Sequence, residues 1–345
     1  MALTRAIGVA VVCIRTVRGR MGERRLRFIG RTALAAWFAE WTCVRIAEMI
    51  SNHVPVGQDV RIYYQGVQTW LHGGDPWTAS VVVGPSTFSY AGAPATTVLL
   101  APSALLSEAQ FTVLWLGLTA LSAVAIIRLL RLPPWWLLFP PTAEALYSGN
   151  PQLIVLMLLL VGAGRMGTLA GSLAVVLKAY AVIPLVLERR LRCAAIAIGL
   201  TIATIAVAPS LWISYAEQFG SISARLAHES AYGFSAFYRP ILLVPTAIAM
   251  VLLWRRDPKA AAWLAVPALW PASEFHYSTF AQPIMTPLLA VLLAVPSFVV
   301  LPLAITLYVA WRFVSAPVHA RLSGWADQAT TAPSGDSSRT PGSLS

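Results

Sequence analysis

Apolar stretches approach or exceed the roughly 20 residues that cross membrane hydrocarbon as a helix, and they recur from Thr32 to Val314. Short groups of Arg, Pro, Gly and other polar residues separate them. This pattern predicts an all-α polytopic membrane protein of about ten transmembrane helices, with short interfacial helices at its outer face. The longest internal polar interval, from Ser51 to Ala95, is too short for a soluble domain. A functional site must therefore be built from loops and helix ends.

Charge and composition together divide the chain into three parts. We expect residues 1–31 to form a basic cytoplasmic segment, 32–314 a single transmembrane domain and 315–345 a disordered tail rich in Ser, Thr, Pro and Gly. The basic segment precedes the first predicted span, Thr32 to Ile50, so positive residues should keep it in the cytoplasm and place the following loop outside.

The net charge of +11 is explained by arginines near the ends of apolar stretches, where they anchor helices to lipid headgroups. We therefore expect membrane lipids as partners and no nucleic acid. The expected location is the plasma membrane, crossed several times, with the site on the outer, periplasmic side.

One predicted span contains its own interruption. The stretch from Gly167 to Leu187 includes Lys178 and Pro184 and has basic residues at both ends. A single crossing would put one basic end outside, so the sequence favours a broken or re-entrant helix with Lys178 near its outer turn. An ionisable side chain at membrane depth is costly and usually faces a cavity or a partner. Lys178 is therefore a candidate phosphate contact, although it could instead extend to the headgroups.

Asp59 is the leading candidate for chemistry, because a carboxylate just outside a span can serve as a general base when partly desolvated. A solvated loop carboxylate is the alternative. Asp75, followed by Pro76, is more typical of a turn cap, and His276 could lie in an interfacial aromatic belt or contact phosphate. The histidines and the three cysteines lack the spacing of metal ligands, so we expect no metal and no cofactor.

Several motifs occur in an order that resembles glycosyltransferase family 87. Asp59 with Tyr63 and Tyr64 is followed by residues 73–77 (Gly-Gly-Asp-Pro-Trp) and by residues 149–152 (Gly-Asn-Pro-Gln), which are similar to the family's Gly-Gln-x-Asn turn. Residues 178–181 (Lys-Ala-Tyr-Ala) are similar to its Lys-Pro-Tyr-Pro. Where the family's motif has two prolines, this chain has Ala179 and Ala181. The two amides of the turn, Asn150 and Gln152, occur in the opposite order to that in the family.

The resemblance implies a GT-C-like bundle that transfers a sugar, expected to be mannose, from a polyprenyl-phosphate donor to a glycolipid or lipoglycan hydroxyl in cell-envelope synthesis. It assigns Asp59 as the base of an inverting reaction. A lipid or sugar transporter or flippase, and a catalytically inactive GT-C-like partner, remain the alternatives. The other expected site residues are Lys178, His276, Arg239 and Arg61 for the donor phosphate, and Tyr63, Tyr64, Asn150 and Gln152 for the substrates.

Overall fold

The computed structural model describes residues 23–83, 86–161, 167–230, 236, 239–271, 273–296 and 302–313. The expected tail and residues 1–22 of the basic segment lie outside this described part, whereas residues 23–31 form the first turns of a helix. The α-helices are α1 (Glu23–Ser51), α2 (Gln58–Leu71), α3 (Pro94–Leu100), α4 (Glu108–Leu129), α5 (Pro140–Ser148), α6 (Gln152–Val161), α7 (Gly167–Leu177), α8 (Val182–Leu187), α9 (Leu191–Val207), α10 (Pro209–Ser230), α11 (Pro240–Arg256), α12 (Pro258–Leu269), α13 (Pro287–Leu293) and α14 (302–313).

Short 3-10 helices connect several of these elements. They are Pro76–Thr78, Ala101–Leu105, Pro134–Leu138, Ala179–Ala181 and Phe275–Ile284. The expectation of a helical fold is confirmed, with one departure at an antiparallel pair of strands, β1 (Ser80–Val83) and β2 (Ser86–Ser89). The three consecutive valines in β1 favour extended backbone. In the sequence they lie within a polar interval, so a strand was not predicted there.

The expected number of about ten spans is not confirmed. Within the described residues, α4 is the one helix whose length and composition suit a membrane crossing by themselves. The number rises to at most three if α5 with α6, bent by 114°, and α9 with the first part of α10, bent by 104°, each form one span. Pro and Gly divide the apolar stretches into shorter helices, and α1 carries Glu40, Arg45 and Glu48 within its apolar part.

The predicted break at Lys178 is confirmed. Helix α7 ends at Leu177, Lys178 has extended backbone (φ −147°, ψ 110°), and the chain continues through the 3-10 turn into α8. Thr96 on α3 donates its hydroxyl to the carbonyl oxygen of Val176 at 3.0 Å. A buried partner thus satisfies one of the carbonyl groups that the interruption frees.

Tight packing holds α2 against the hairpin and α4. Gly66 lies directly over the Tyr90 ring, where an added Cβ would be 2.6 Å from the ring carbon Cγ. One turn earlier, Tyr63 meets Tyr90 edge-on and stacks on Trp115 of α4, with ring centroids 5.7 Å and 6.3 Å apart. These contacts fix the rotation of α2 about its axis and therefore the direction in which its first turn faces.

Candidate functional site

Asp59 lies in the first turn of α2, where the backbone N–H groups of a helix favour a negative charge. The helix follows Gly57, which has a left-handed conformation (φ 75°). The Gly57 N–H donates to the carbonyl oxygen of Tyr147 at 2.8 Å. The start of α2 is thereby joined to the end of α5, and the partly buried Asp59 carboxylate faces the turn between α5 and α6.

That turn holds the carboxylate through Asn150. The Asn150 side-chain amide donates from Nδ2 to Asp59 Oδ2 at 2.7 Å, while its Oδ1 accepts the Gln152 backbone N–H at 3.0 Å. Gly149 makes the turn possible, since its φ is 70° and an added Cβ would lie 2.4 Å from a Val60 methyl group. Trp115 donates its indole N–H to the Gly149 carbonyl at 2.8 Å. Asn150 thus orients Asp59 and caps α6 at the same time.

The second amide of this turn points toward the broken helix. Gln152 is fully buried, and its Oε1 accepts the Tyr180 hydroxyl, whereas its Nε2 has no partner among the described residues. The two amides expected to bind substrate are therefore buried and engaged by side chains of the protein. Through them the turn at Gly149 joins Asp59 to the break that follows Lys178.

Lys178 points into the same region. Its ammonium lies over the Tyr63 ring, 5.4 Å from the centroid, in a cation–π arrangement. Burial raises the pKa of Tyr277 to about 12, and the nearby positive charge of Lys178 opposes this rise. Burial, assisted by the negative charges of Asp59 and Glu274, also raises the pKa of Tyr63 above its ordinary value. Tyr63 and Tyr277 therefore stay neutral. They lie near the Lys178 amine and the carboxylates of Asp59 and Glu274.

His276 belongs to a buried ionic cluster behind this region. Its Nδ1 lies 3.1 Å from Glu144 Oε1 on α5 and 3.7 Å from Glu274 Oε2. The other Glu144 oxygen accepts the Arg45 guanidinium of α1 at 2.5 Å. Whereas 2% of the His276 side chain is accessible, 62% of the Glu274 side chain is. Glu274 is thus the open member of the cluster and faces the space near Asp59 and Lys178.

Two predicted residues, Arg61 and Tyr64, lie apart from this group. Arg61 forms a half-exposed ion pair with Glu108, with Nε and Oε1 3.7 Å apart. Tyr64 donates its hydroxyl to the Leu106 carbonyl at 2.8 Å, on the other side of α2. Arg239 directly precedes the first turn of α11. Asp75 caps the 3-10 helix that follows it, accepting the Trp77 N–H at 3.0 Å, so its interpretation as a turn residue is confirmed.

Sequence reasoning missed Glu144 and did not assign Glu274. Glu144 is the one acidic residue between Arg131 and Glu188, a mostly apolar part of the sequence. An ionisable group among apolar residues is costly and usually has a functional or structural partner. This rule indicated Lys178, and it applies equally to Glu144. No sequence spacing indicates its partners, because they lie 99 positions earlier and 132 positions later.

The ligand atoms of Glu144, Glu274 and His276 lie within 4.8 Å of one another, close enough to surround a metal ion. However, both Glu144 oxygens are already engaged, one by Arg45 and the other by His276. A cation between them would compete with the guanidinium for the same carboxylate, so we assign no metal to this cluster.

No family model, curated protein or solved structure matches this chain. The site is therefore interpreted from its own geometry. A carboxylate held by an amide, an amine over a tyrosine ring and a second, accessible carboxylate occupy one region. This combination can remove a proton from a hydroxyl and stabilise a phosphate that departs.

Proposed function

We propose that this protein is a membrane-embedded glycosyltransferase that uses a polyprenyl-phosphate sugar, most simply mannose, and acts on a glycolipid or lipoglycan hydroxyl at the outer face of the plasma membrane. The observation that carries the proposal is the position of Asp59 and Lys178. These residues are 119 positions apart in the chain, yet both lie near Tyr63: the Lys178 ammonium is over its ring, and the Asp59 charge helps to raise its pKa.

The proposed step is a single displacement. The acceptor oxygen attacks the anomeric carbon from the side opposite the phosphate, and Asp59 takes the hydroxyl proton. The bond between the anomeric carbon and the phosphate oxygen breaks, and its electron pair leaves with the lipid phosphate, which gives inversion. Lys178 stabilises the charge that grows on the phosphate oxygens. A lipid phosphate is already a good leaving group, so one carboxylate base suffices for this scheme.

Asn150 gives the base its direction. A carboxylate that rotates freely spends part of its time facing away from the acceptor, whereas the 2.7 Å hydrogen bond from Asn150 leaves one defined orientation for Asp59. The second Asp59 oxygen then remains available for the acceptor proton. The arrangement of base and orienting amide is what a proton-abstracting site requires.

The surface of the helices supports a location in lipid. Large apolar side chains are exposed along α4, α9 and α11, including Val113 at 70%, Ile198 at 61% and Val244 at 59%. Contiguous apolar surface of this kind needs a nonpolar environment. We therefore propose that the shorter apolar helices also enter the membrane and that the bundle is of the GT-C type. A lipid-facing exterior further suits a substrate whose prenyl chain stays in the bilayer.

The test is direct. Membranes that contain the protein are incubated with radiolabelled polyprenyl-phosphate mannose, and separately with the corresponding arabinose donor, and label in glycolipid is measured. Asp59→Asn should lower transfer by about 100-fold or more, the usual scale for loss of a general base. Asp75→Asn is the control, because Asp75 caps a partly buried 3-10 turn and contacts Gln218 on α10 rather than the groups around Asp59. Near-normal transfer by Asp59→Asn would remove Asp59 from the mechanism, and absence of transfer by the wild-type protein with both donors would contradict the proposed activity.

A further inference from the structure

Three side chains from distant parts of the chain form a buried relay behind Asp59. Arg45 on α1 contacts Glu144 on α5, and Glu144 contacts Nδ1 of His276 in the 3-10 helix Phe275–Ile284. The Glu144 and His276 side chains are 4% and 2% exposed, and Arg45 is 18% exposed. Burying ionisable groups is costly unless each is paired, so the presence of three such groups in the interior needs an explanation.

The relay constrains the orientation and the tautomer of His276. Arg45 neutralises Glu144 through Oε2, which leaves Oε1 as an acceptor for the Nδ1–H of the imidazole. A histidine held in this way at Nδ1 has a defined tautomer and ring direction. Its Nε2 is buried and has no partner among the described residues. A buried nitrogen without a partner at the edge of the candidate site is a position that a ligand could satisfy.

The groups that face His276 are mostly acidic. Glu144 comes from α5, Glu274 from the connection before the 3-10 helix and Asp59 from α2. Helix α6 has no titratable residue, and the one on α12, Lys259, lies at the distant start of that helix. Burial by itself lowers the pKa of His276, but the hydrogen bond to Glu144 and the charges of Glu274 and Asp59 raise it above the ordinary value.

We propose that Glu144, held by Arg45, is a positioning residue that orients His276 and stabilises its protonated form, so that His276 supplies the second positive charge next to the donor phosphate. This inference deepens the proposed function and rests on it. With Arg45 and Glu144 cancelling each other, Asp59 and Glu274 contribute two negative charges against the single positive charge of Lys178. A protonated His276 balances this sum, which lets an anionic donor enter without net repulsion.

The test measures binding of methyl farnesyl phosphate, a short polyprenyl phosphodiester that, like the donor, keeps a single negative charge throughout, to the purified protein between pH 5 and pH 9. Wild-type affinity should be highest where His276 is protonated and should fall as pH rises through its raised pKa. Glu144→Gln removes the charge that raises this pKa, so the decline should move to lower pH by about one unit or more. Glu48→Gln is the matched control, since Glu48 is the exposed partner of Arg45 and does not contact His276. Its profile should coincide with that of the wild type.

A second variant covers the case in which Glu144→Gln fails to fold. His276→Gln keeps a polar side chain of similar reach and removes the titration, so its affinity should be reduced and independent of pH over this range. A pH-independent wild-type profile would overturn the relay while leaving the transferase proposal intact if sugar transfer persists. Loss of binding in EDTA, restored by Mn²⁺ in the wild type but not in Glu144→Gln, would show that the cluster binds a metal and would also overturn it.

Discussion

The hydrogen bond from Asn150 to Asp59 provides the sharpest test of how the proposed base is held. Asn150→Ala removes a hydrogen bond to a charged group, an interaction that contributes about 1.5–3 kcal/mol. If that energy is used to orient the base in the transition state, kcat/KM should fall by about 10- to 150-fold. Transfer of label from the polyprenyl-phosphate donor measures this decrease. The Michaelis constant for the donor should change little, because Asn150 is buried behind Asp59.

Asn150 also caps α6, so a second substitution separates positioning from stability. Asn150→Asp keeps an oxygen to accept the Gln152 N–H, and Asp is as good a helix cap as Asn. It places a carboxylate where the amide now contacts Asp59, and two carboxylates at this distance share one proton. We therefore expect a folded protein with little transfer at neutral pH. Full activity of Asn150→Asp would refute the argument, because Asn150 would then act only as a cap. Tyr64→Phe, on the same helix but outside the site, should behave as the wild type.

Three further predictions concern the break, the turn and the orientation. Lys178→Met should weaken donor binding and turnover by about 10-fold or more, because a charge-assisted contact to phosphate is lost. Lys178→Arg should retain part of both. Donor titration and initial rates measure these effects, and unchanged donor affinity in Lys178→Met would refute the prediction. Gly149→Ala should lower the free energy of unfolding by more than Gly73→Ala does. Both glycines have positive φ, which costs alanine about 1–2 kcal/mol, but only at Gly149 would the added methyl group also meet a side chain. Equal losses of thermal stability in detergent would contradict this packing argument. In a background without native cysteines, cysteine at His72 should react with an impermeant thiol reagent from outside and cysteine at Lys259 only after permeabilisation, and the reverse pattern would overturn the proposed orientation.

The residues with the clearest chemistry could be predicted because each breaks a local pattern. Asp59 follows an apolar stretch, and Lys178 interrupts one, so the cost of a charge near lipid indicated both. Glu144 carries the same signal and was overlooked because nothing near it in the sequence resembled a motif. Its pairing with Arg45 and His276 could not be predicted, since ion pairs across 99 and 132 positions arise from tertiary packing. The predicted number of spans is not confirmed for a related reason, because hydropathy records the length of an apolar stretch but not its bends, such as the one between α5 and α6.

The predicted site residues that come together all lie where a regular α-helix begins, ends or is interrupted. Asp59 lies in the first turn of a helix, Asn150 follows a left-handed glycine that ends one, Lys178 has extended backbone between two, and His276 is in a 3-10 segment. In an apolar bundle, a regular helix satisfies its own backbone and can turn its polar side chains in only a few directions. An interruption releases backbone donors and acceptors and redirects the adjacent side chain. Because uncompensated backbone groups are costly away from water, such interruptions persist where they face one another or a polar ligand. The convergence of four interruptions near Tyr63 and Tyr277 therefore locates the candidate site independently of any motif, whereas Tyr64 and Arg61 extend from α2 toward Leu106 and Glu108 and lie outside it.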